Sequence, residues 1–392
     1  MGPLMEPVTH LLTGACLGRA GLNRRTAHAT LAAVLAAEAA DLDVLWGLRG
    51  PVDGLAHHRG ITHTLVAAPL IAFAVAGAVW LWREGWVKRR LVARVLAGET
   101  IPVAQPVNWL WLWLTALIAD LSHLALDWTN NYGLRPFFPF NRHWYAGSIV
   151  FIAEPVLWLL LGLALLVPAI LGLADSEIGV RRTRFRGRGL AVAALCGVVL
   201  LWCWRWAEQA EARNLVEAAQ VTPTPSLRMA LEPYPWNPFR WHAILETATT
   251  WQTAEVDTRT GAVDSDPSTN TLYKTAATAA TEAARRTRLG EVYLDWSQWP
   301  VVRDMGPMEV AGVSGPNQQN TGLPASRRWT TVEFSDLRFA YSYRDMKMAG
   351  SSDGRLSEAL MESPLTGWVY IVDGPGNSEE EEAMILDGWK QK

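Results

Sequence analysis

The stretch Thr64–Trp82 holds no charged residue and is long enough to cross a lipid bilayer as a single helix. In hydrocarbon the backbone must satisfy its own polar groups, so an isolated apolar run of this kind can only be helical. Three further runs are also long and apolar enough, each with one or two charged residues: Val107–Asp127 with Asp120 and Asp127, Val150–Ala174 with Glu154, Pro155 and Pro168, and Gly189–Trp206 with Arg205. Two weaker apolar stretches precede them. Met5–Gly18 carries His10, and the Ala/Leu-rich Ala27–Leu48 carries Glu38, Asp41 and Asp43 in its second half. They predict a tight helical hairpin whose polar groups face the bundle. The expectation is a membrane all-α bundle of about five to six helices over residues 1–206.

Basic residues orient such a bundle. The link after Trp82 carries Arg83, Lys88, Arg89, Arg90 and Arg94, and the link after Ala174 carries Arg181, Arg182, Arg184, Arg186 and Arg188. Both are expected on the cytoplasmic side, with Arg19, Arg24 and Arg25. The remaining links, Arg49–Thr62 and Trp128–Ser148, are then expected outside. Many of the 21 Trp residues stand at the ends of apolar runs, as interface belts do: Trp80, Trp82, Trp86, Trp109, Trp111 and Trp113 at one face, Trp202, Trp204 and Trp206 at the other.

After Trp206 the composition becomes that of a water-soluble chain, which explains a mean hydropathy of only +0.07 for the whole. Ala207–Gln220 reads as a helix leaving the membrane and Thr222–Arg240 as a Pro-rich linker, so 207–240 joins two domains. Residues 241–374 read as a mostly-β (α+β) extracytoplasmic domain: strands over Trp241–Asp257, Glu291–Trp299, Trp329–Tyr343 and Gly367–Val372, a turn at Asp257–Gly261, a short helix over Thr275–Leu289 and a loop over Gly312–Ser326. The acidic tail 375–392, with Glu379–Glu382 in a row, reads as frayed. A net charge of −3 argues against a broad nucleic-acid surface. Cys16, Cys196 and Cys203 cannot build a disulfide framework or a Cys-type zinc site.

The chemistry gathers in four polar stretches. Asp120, His123 and Asp127 follow the spacing i, i+3, i+7 and share one helix face at the end of an apolar run. Asp41 and Asp43 are two apart, a spacing suited to a helix end. His57, His58 and His63 crowd the stretch His57-His58-Arg59-Gly60-Ile61-Thr62-His63, and His10 completes the set. By the topology above, all of these fall toward the outer ends of their helices. Imidazole nitrogens and carboxylate oxygens are the usual ligands of zinc and also suit manganese. Arg59 could hold a phosphate or carboxylate with its planar fork, pair with Asp53, or meet a headgroup. Glu38 and Glu154 are candidates for supporting bases or buried partners. Ser148 has no Ser-His-Asp setting, and there is no phosphate-cradling Gly loop. A metal or proton transporter would need polar groups in both halves of the membrane, and here they gather on one side.

In order along the chain, Thr9-His10-Leu11-Leu12-Thr13-Gly14, Ala40-Asp41-Leu42-Asp43, His58-Arg59-Gly60-Ile61-Thr62-His63-Thr64 and Ser122–Asp127 with Thr129, Gly133 and Pro139 resemble the YdjM-like family of bacterial inner-membrane metal-dependent hydrolases, also described as LexA-regulated. The resemblance covers roughly residues 5–210. Asn237–Trp241 resembles the extended members that carry a C-terminal domain. Ala40 and Thr64 replace the family's usual Pro and Ser, and neither change removes a ligand; Asp120 lies outside the family's pattern. The resemblance implies a metal site of His10, Asp41, Asp43, His58, His63, His123 and Asp127, with Asp43, His58 and Arg59 as the catalytic groups. The expected function is hydrolysis of a phosphoester or lipid-type substrate at the outer face of the inner membrane, with a divalent metal, zinc before manganese. The rival is a non-enzymatic membrane protein with a structural metal or a polar His/Asp lock, whose β domain binds a partner.

Overall fold

Two glycines bring the first helices together. A Cβ on Gly14 would stand 2.6 Å from the Ala33 carbonyl oxygen, and one on Gly18 would stand 2.6 Å from Cα of Thr30. Helices α1 (Pro7–Ala20) and α2 (Ala29–Ala39) therefore touch backbone to backbone, the close packing that small residues permit inside membranes. This is the expected hairpin. The computed structural model describes residues 7–99, 105–177, 185–311, 326–341, 363, 365–372, 380–386 and 389–391. Arg181, Arg182 and Arg184 and most of the expected loop Gly312–Ser326 lie outside these.

A 3₁₀ helix, Ala40–Arg49, continues α2, and α3 (Pro51–His57) follows. Helix α4 (Ala68–Trp82) runs on through Arg83–Val87 into α5 (Lys88–Leu96). Helix α6 (Trp109–Thr129) starts at Asn108, whose side chain accepts from the Trp111 amide at 3.1 Å. Helices α7 (Pro155–Glu177) and α8 (Arg188–Ala219) complete the helical region. Among the described residues, four helices are long and apolar enough to span a membrane: Ala68–Leu96, Trp109–Thr129, Pro155–Asp175 and Arg188–Ala219.

The bundle has two seams. Ala33, Ala36, Ala37, Ala72, Ala116 and Ala119 pack α2, α4 and α6 through small side chains, and Cys16, Leu157, Leu161, Ala191, Ala194 and Val198 join α1, α7 and α8. Trp80 stacks on Trp109 across one end of the bundle, as a common belt requires. His28 contacts Trp82 at that same end.

Helix α8 continues without a break past Trp206, and its Ala212 and Val216 enter the core of the first sheet with Leu231, Trp241 and Val256. That sheet has the order β1 (Arg228–Pro233), β2 (Arg240–Glu246), β3 (Thr250–Asp257), β4 (Ala262–Asp264), with β5 (Thr271–Tyr273) also on β3. All pairings are antiparallel. Strand β1 lies inside the stretch read as linker, so the β region begins before Trp241. The turn expected at Asp257–Gly261 joins β3 to β4, with the Arg259 and Thr260 amides donating to Asp257.

Three short helices follow: α9 (Pro267–Asn270), α10 (Ala279–Arg285) and α11 (Arg288–Trp296). The last corrects the strand expected over Glu291–Trp299. Leu289, Tyr293 and Trp296 are buried on one face at helical spacing, and Thr287 caps the helix by accepting from the Gly290 amide. The second sheet has the order β10 (Trp389–Gln391), β9 (Glu380–Leu386), β8 (Leu365–Val372), β7 (Ser326–Asp336), β6 (Pro300–Ala311). Strand β9 corrects the frayed tail, because the Glu380–Leu386 backbone pairs antiparallel with β8. Leu289 of α11 fills the space at Gly367, where a Cβ would come within 2.9 Å.

Candidate metal centre

The fold collects four helix ends at one end of the bundle. His10 lies in the first turn of α1, Asp41 and Asp43 just past α2, His63 just before α4, and His123 and Asp127 in the last turns of α6. The β region packs on the same end, where Tyr132 and Trp144 join a core with Trp296, Phe334 and Val369.

Asp41, His63, His123 and Asp127 each offer a ligand atom, and the four atoms lie within 4.8 Å of one another. The Nε2 atoms of His63 and His123 face each other at 3.1 Å. Asp41 Oδ1 lies 3.3 Å from the first and 3.6 Å from the second. Asp127 Oδ2 lies 3.4 Å and 3.3 Å from them.

The opposite ring nitrogens fix the tautomers. His123 Nδ1 stands 2.7 Å from the Ala37 carbonyl oxygen, which only accepts, so Nδ1 donates. His63 Nδ1 stands 3.2 Å from Asp43 Oδ2 and likewise donates. In the neutral imidazoles both Nε2 atoms then present lone pairs to the same point, together with two carboxylate oxygens. Four such groups repel one another unless a metal ion or an added proton lies among them. Partners of this kind on the far nitrogen are what orient metal-binding histidines.

Asp43 thus stands behind His63, outside the quartet. It also accepts from the Arg59 amide at 2.8 Å, from His58 Nδ1 at 3.2 Å and from Thr62 Oγ1 at 3.2 Å. Burial alone would push its carboxyl up; the hydrogen bonds from His58 and His63 outweigh that and hold it well below the usual carboxylate range. His63 shows the converse. Burial disfavours its charged form, yet Asp127, Asp41 and Asp43 around it hold its pKa well above the ordinary value. The arrangement wants a positive charge at its centre.

Arg59 is buried, and its guanidinium points inward. It donates to Asp127 Oδ1 at 2.6 Å, to the Gly133 carbonyl at 2.8 Å and to Asn130 Oδ1 at 3.2 Å, and it lies over the Tyr132 ring. Its φ of 48° is left-handed, a conformation that costs a non-glycine residue roughly 1 kcal/mol. The amide bond to Asp43 and the guanidinium bonds hold it there. The partner of Asp53 is Arg288, so the Arg59–Asp53 alternative does not form.

His10 Nε2 lies 3.5 Å from Asp127 Oδ1, and its ring stacks on His123 at 3.9 Å between centroids. A cavity of about 20 Å³, room for a water molecule, is lined by Thr9, His10, Arg59, Asp127 and Asn130 among others. The His58 side chain is 15% exposed, on the solvent side of Asp43. His57 turns away and stacks on Trp46 at 3.9 Å. Asp120 is buried, and neither of its carboxylate oxygens has a hydrogen-bond partner among the described residues; it stays outside the quartet despite its spacing. Sequence reasoning missed Asn130 and the Ala37 carbonyl, because a capping amide and a backbone oxygen carry no signature of their own.

A family model described as YdjM inner membrane protein matches residues 5–212, more than half of the 392-residue chain, and spans all eight residues expected at the site. A Bacillus subtilis (strain 168) protein described as uncharacterized protein YfhP is 27% identical over 154 residues, covering 37% of this chain and 41% of that protein. The match therefore spans less than half of that relative's length. No solved structure matches. The chain belongs to the YdjM inner membrane protein family.

Proposed function

We propose that the quartet holds a divalent metal ion and that the protein is a membrane-bound metal-dependent hydrolase of phosphoester or lipid-type substrates. The observation that carries this reading is the pair of imidazole Nε2 atoms facing each other at 3.1 Å beside two carboxylate oxygens. Two nitrogen and two oxygen donors suit zinc, and manganese also accepts such a set. When bound, the ion supplies Lewis acidity that lowers the pKa of a neighbouring water. Asp41, His63, His123 and Asp127 are its ligands. Asp43 and the Ala37 carbonyl set the tautomers of His63 and His123. Arg59 neutralises Asp127 Oδ1, leaving Oδ2 for the ion. His10, beside the water-sized cavity, completes the inner set, and His58 is placed to move a proton at the solvent side.

Arg83, Lys88, Arg89, Arg90 and Arg94 lie at the far end of α4 and α5 from His63, which supports an outward-facing site and β domain by the positive-inside rule. A centre at that depth meets lipid headgroups and lipid-linked phosphates. One observation favours the rival, a structural metal: His63, His123 and Asp127 are at most 1% exposed. The test is hydrolysis by detergent-purified full-length protein, loaded with zinc or manganese, on chromogenic phosphomonoesters and phosphodiesters and on phospholipid micelles. Turnover that His63→Ala and Asp127→Asn abolish supports the enzyme. Stoichiometric metal with no turnover on any of these supports the structural reading.

A further inference from the structure

The loop after α6 ties the quartet to the β region. Asn130 Oδ1 accepts from the Tyr132 amide at 2.9 Å and from Arg59 at 3.2 Å, and the Gly133 carbonyl accepts from Arg59 at 2.8 Å. Gly133 has φ 83°, and a Cβ there would also meet the Tyr145 carbonyl oxygen at 3.1 Å. The loop is therefore the seat of Arg59, and Arg59 grips Asp127. From its other side the same loop is held by Arg338, some 200 residues away in sequence. Arg338 donates to the carbonyls of Asn131 and Tyr132 at 3.0 and 3.1 Å. It is fully buried, and its remaining donors are fixed by Asp336 at 2.8 to 3.1 Å. Tyr132 lies between Arg59 on one side and Trp296 on the other, with ring centroids 5.0 Å apart for the aromatic pair.

We propose that the β region is part of the metal centre: Arg338 is a positioning residue that holds the 130–133 loop, and through it Arg59 and Asp127, in the geometry that binds the ion. This rests on the metal reading of the quartet. Two carbonyls aimed at one guanidinium fix the loop in two directions, and a planar fork does this while also satisfying Asp336. A lysine has three donors at a single point and cannot reproduce the fork that meets Asp336 on one edge and both carbonyls on another. Groups that orient ligands are worth about 10- to 100-fold in metal affinity.

The test uses full-length protein in detergent, with Co²⁺ binding followed by its visible absorption and Zn²⁺ affinity measured by competition. Arg338→Lys keeps a cation beside Asp336. Arg303→Lys is the matched control, because Arg303 pairs with buried Glu333 at 2.6 Å in the same sheet, a pairing away from the 130–133 loop. The expected result is a loss of about tenfold or more in Zn²⁺ affinity and a changed Co²⁺ spectrum for Arg338→Lys, with neither change for Arg303→Lys. Wild-type affinity and spectrum in Arg338→Lys overturn the inference, as does an equal loss in both variants, which marks general destabilisation. If Arg338→Lys does not fold, Tyr341→Phe tests the same tie between the β region and the loop and is read by the same criteria; it removes the hydroxyl that accepts from Asn131 Nδ2 at 3.3 Å and donates to the Pro233 carbonyl at 3.0 Å. A wild type that binds neither ion defeats the metal reading itself.

Discussion

Asp43→Asn tests the arrangement behind the ligands. The carboxylate of Asp43 receives donors from the Arg59 amide, Thr62, His58 and His63, all within 2.8 to 3.2 Å. Asparagine has the same shape, but its amide nitrogen has no lone pair for a donor. With its oxygen kept at the Oδ2 position, where the Arg59 amide, Thr62 and His63 Nδ1 all donate, the NH₂ group takes the Oδ1 position and faces His58 Nδ1. His63 keeps its tautomer, but the carboxylate charge behind it is gone. A neutral acceptor on Nδ1 leaves Nε2, the nitrogen that faces His123 at 3.1 Å, a less basic ligand. Orienting partners of this kind are worth about 10- to 100-fold in affinity, or roughly 1.4–2.7 kcal/mol. Zinc competition titration of purified wild type and Asp43→Asn reads the change, and thermal unfolding without metal checks that the variant folds. An unchanged dissociation constant refutes the role of the Asp43 charge behind His63. A complete loss of binding refutes it differently, by placing Asp43 in direct contact with the ion.

Gly14→Leu should prevent the α1–α2 contact, because a Cβ already meets Ala33 at 2.6 Å; a cost of at least about 1–3 kcal/mol is expected in unfolding assays. Gly47→Ala, with nothing within 4 Å, is the control and should be near neutral. In Arg59→Gln the buried Asp127 loses its cation, so the metal-free protein should be destabilised by about 3–5 kcal/mol, with excess zinc restoring part of it in thermal shift. Stability should also follow pH through the buried cross-strand pair Glu232 and His242. Burial pushes Glu232 up to about 8 and His242 down to about 4. Between the unfolded carboxyl value and pH 6.5, Glu232 favours the folded state less as pH rises, and His242 favours it more. Above pH 6.5 only the Glu232 loss remains, about 2 kcal/mol by pH 8 at roughly 1.4 kcal/mol per unit. Glu232→Gln should remove that decline, and a wild-type melting temperature that is flat from pH 6.5 to 8 contradicts it.

The four long spans were legible because a long apolar run with few charges has one solution in lipid. The hairpin α1–α2 was legible because small residues recur along both stretches. The site was readable in outline from the order of its His and Asp motifs, since polar groups at apolar helix ends require partners. Which groups face the centre was not readable. Asp120 has the right spacing for the shared face of α6, yet the quartet forms around His63 and Asp41, which come from other segments. Arg59 was open to a substrate anion, Asp53 or a headgroup, and only the loop after α6 shows that its guanidinium is held by Asp127, Asn130 and Gly133. In the β region, Val292, Tyr293 and Trp296 have strand-type side chains, and the cap at Thr287 and the burial of one face make them helical instead. The Glu380–Leu386 stretch reads as disordered by composition, but strand β8 offers it an unpaired edge. Arg338 carries no local signal, because its loop partners lie at Asn131 and Tyr132.

Metal content of the detergent-purified protein, measured by elemental mass spectrometry on wild type, His63→Ala and Asp127→Asn after supplementation with zinc and manganese, tests the central claim most directly. About one ion per wild-type chain, lost in both variants while each remains folded, is the predicted result for a four-ligand site. A folded wild type that carries no divalent metal, or variants that retain the ion at the wild-type ratio, would contradict it.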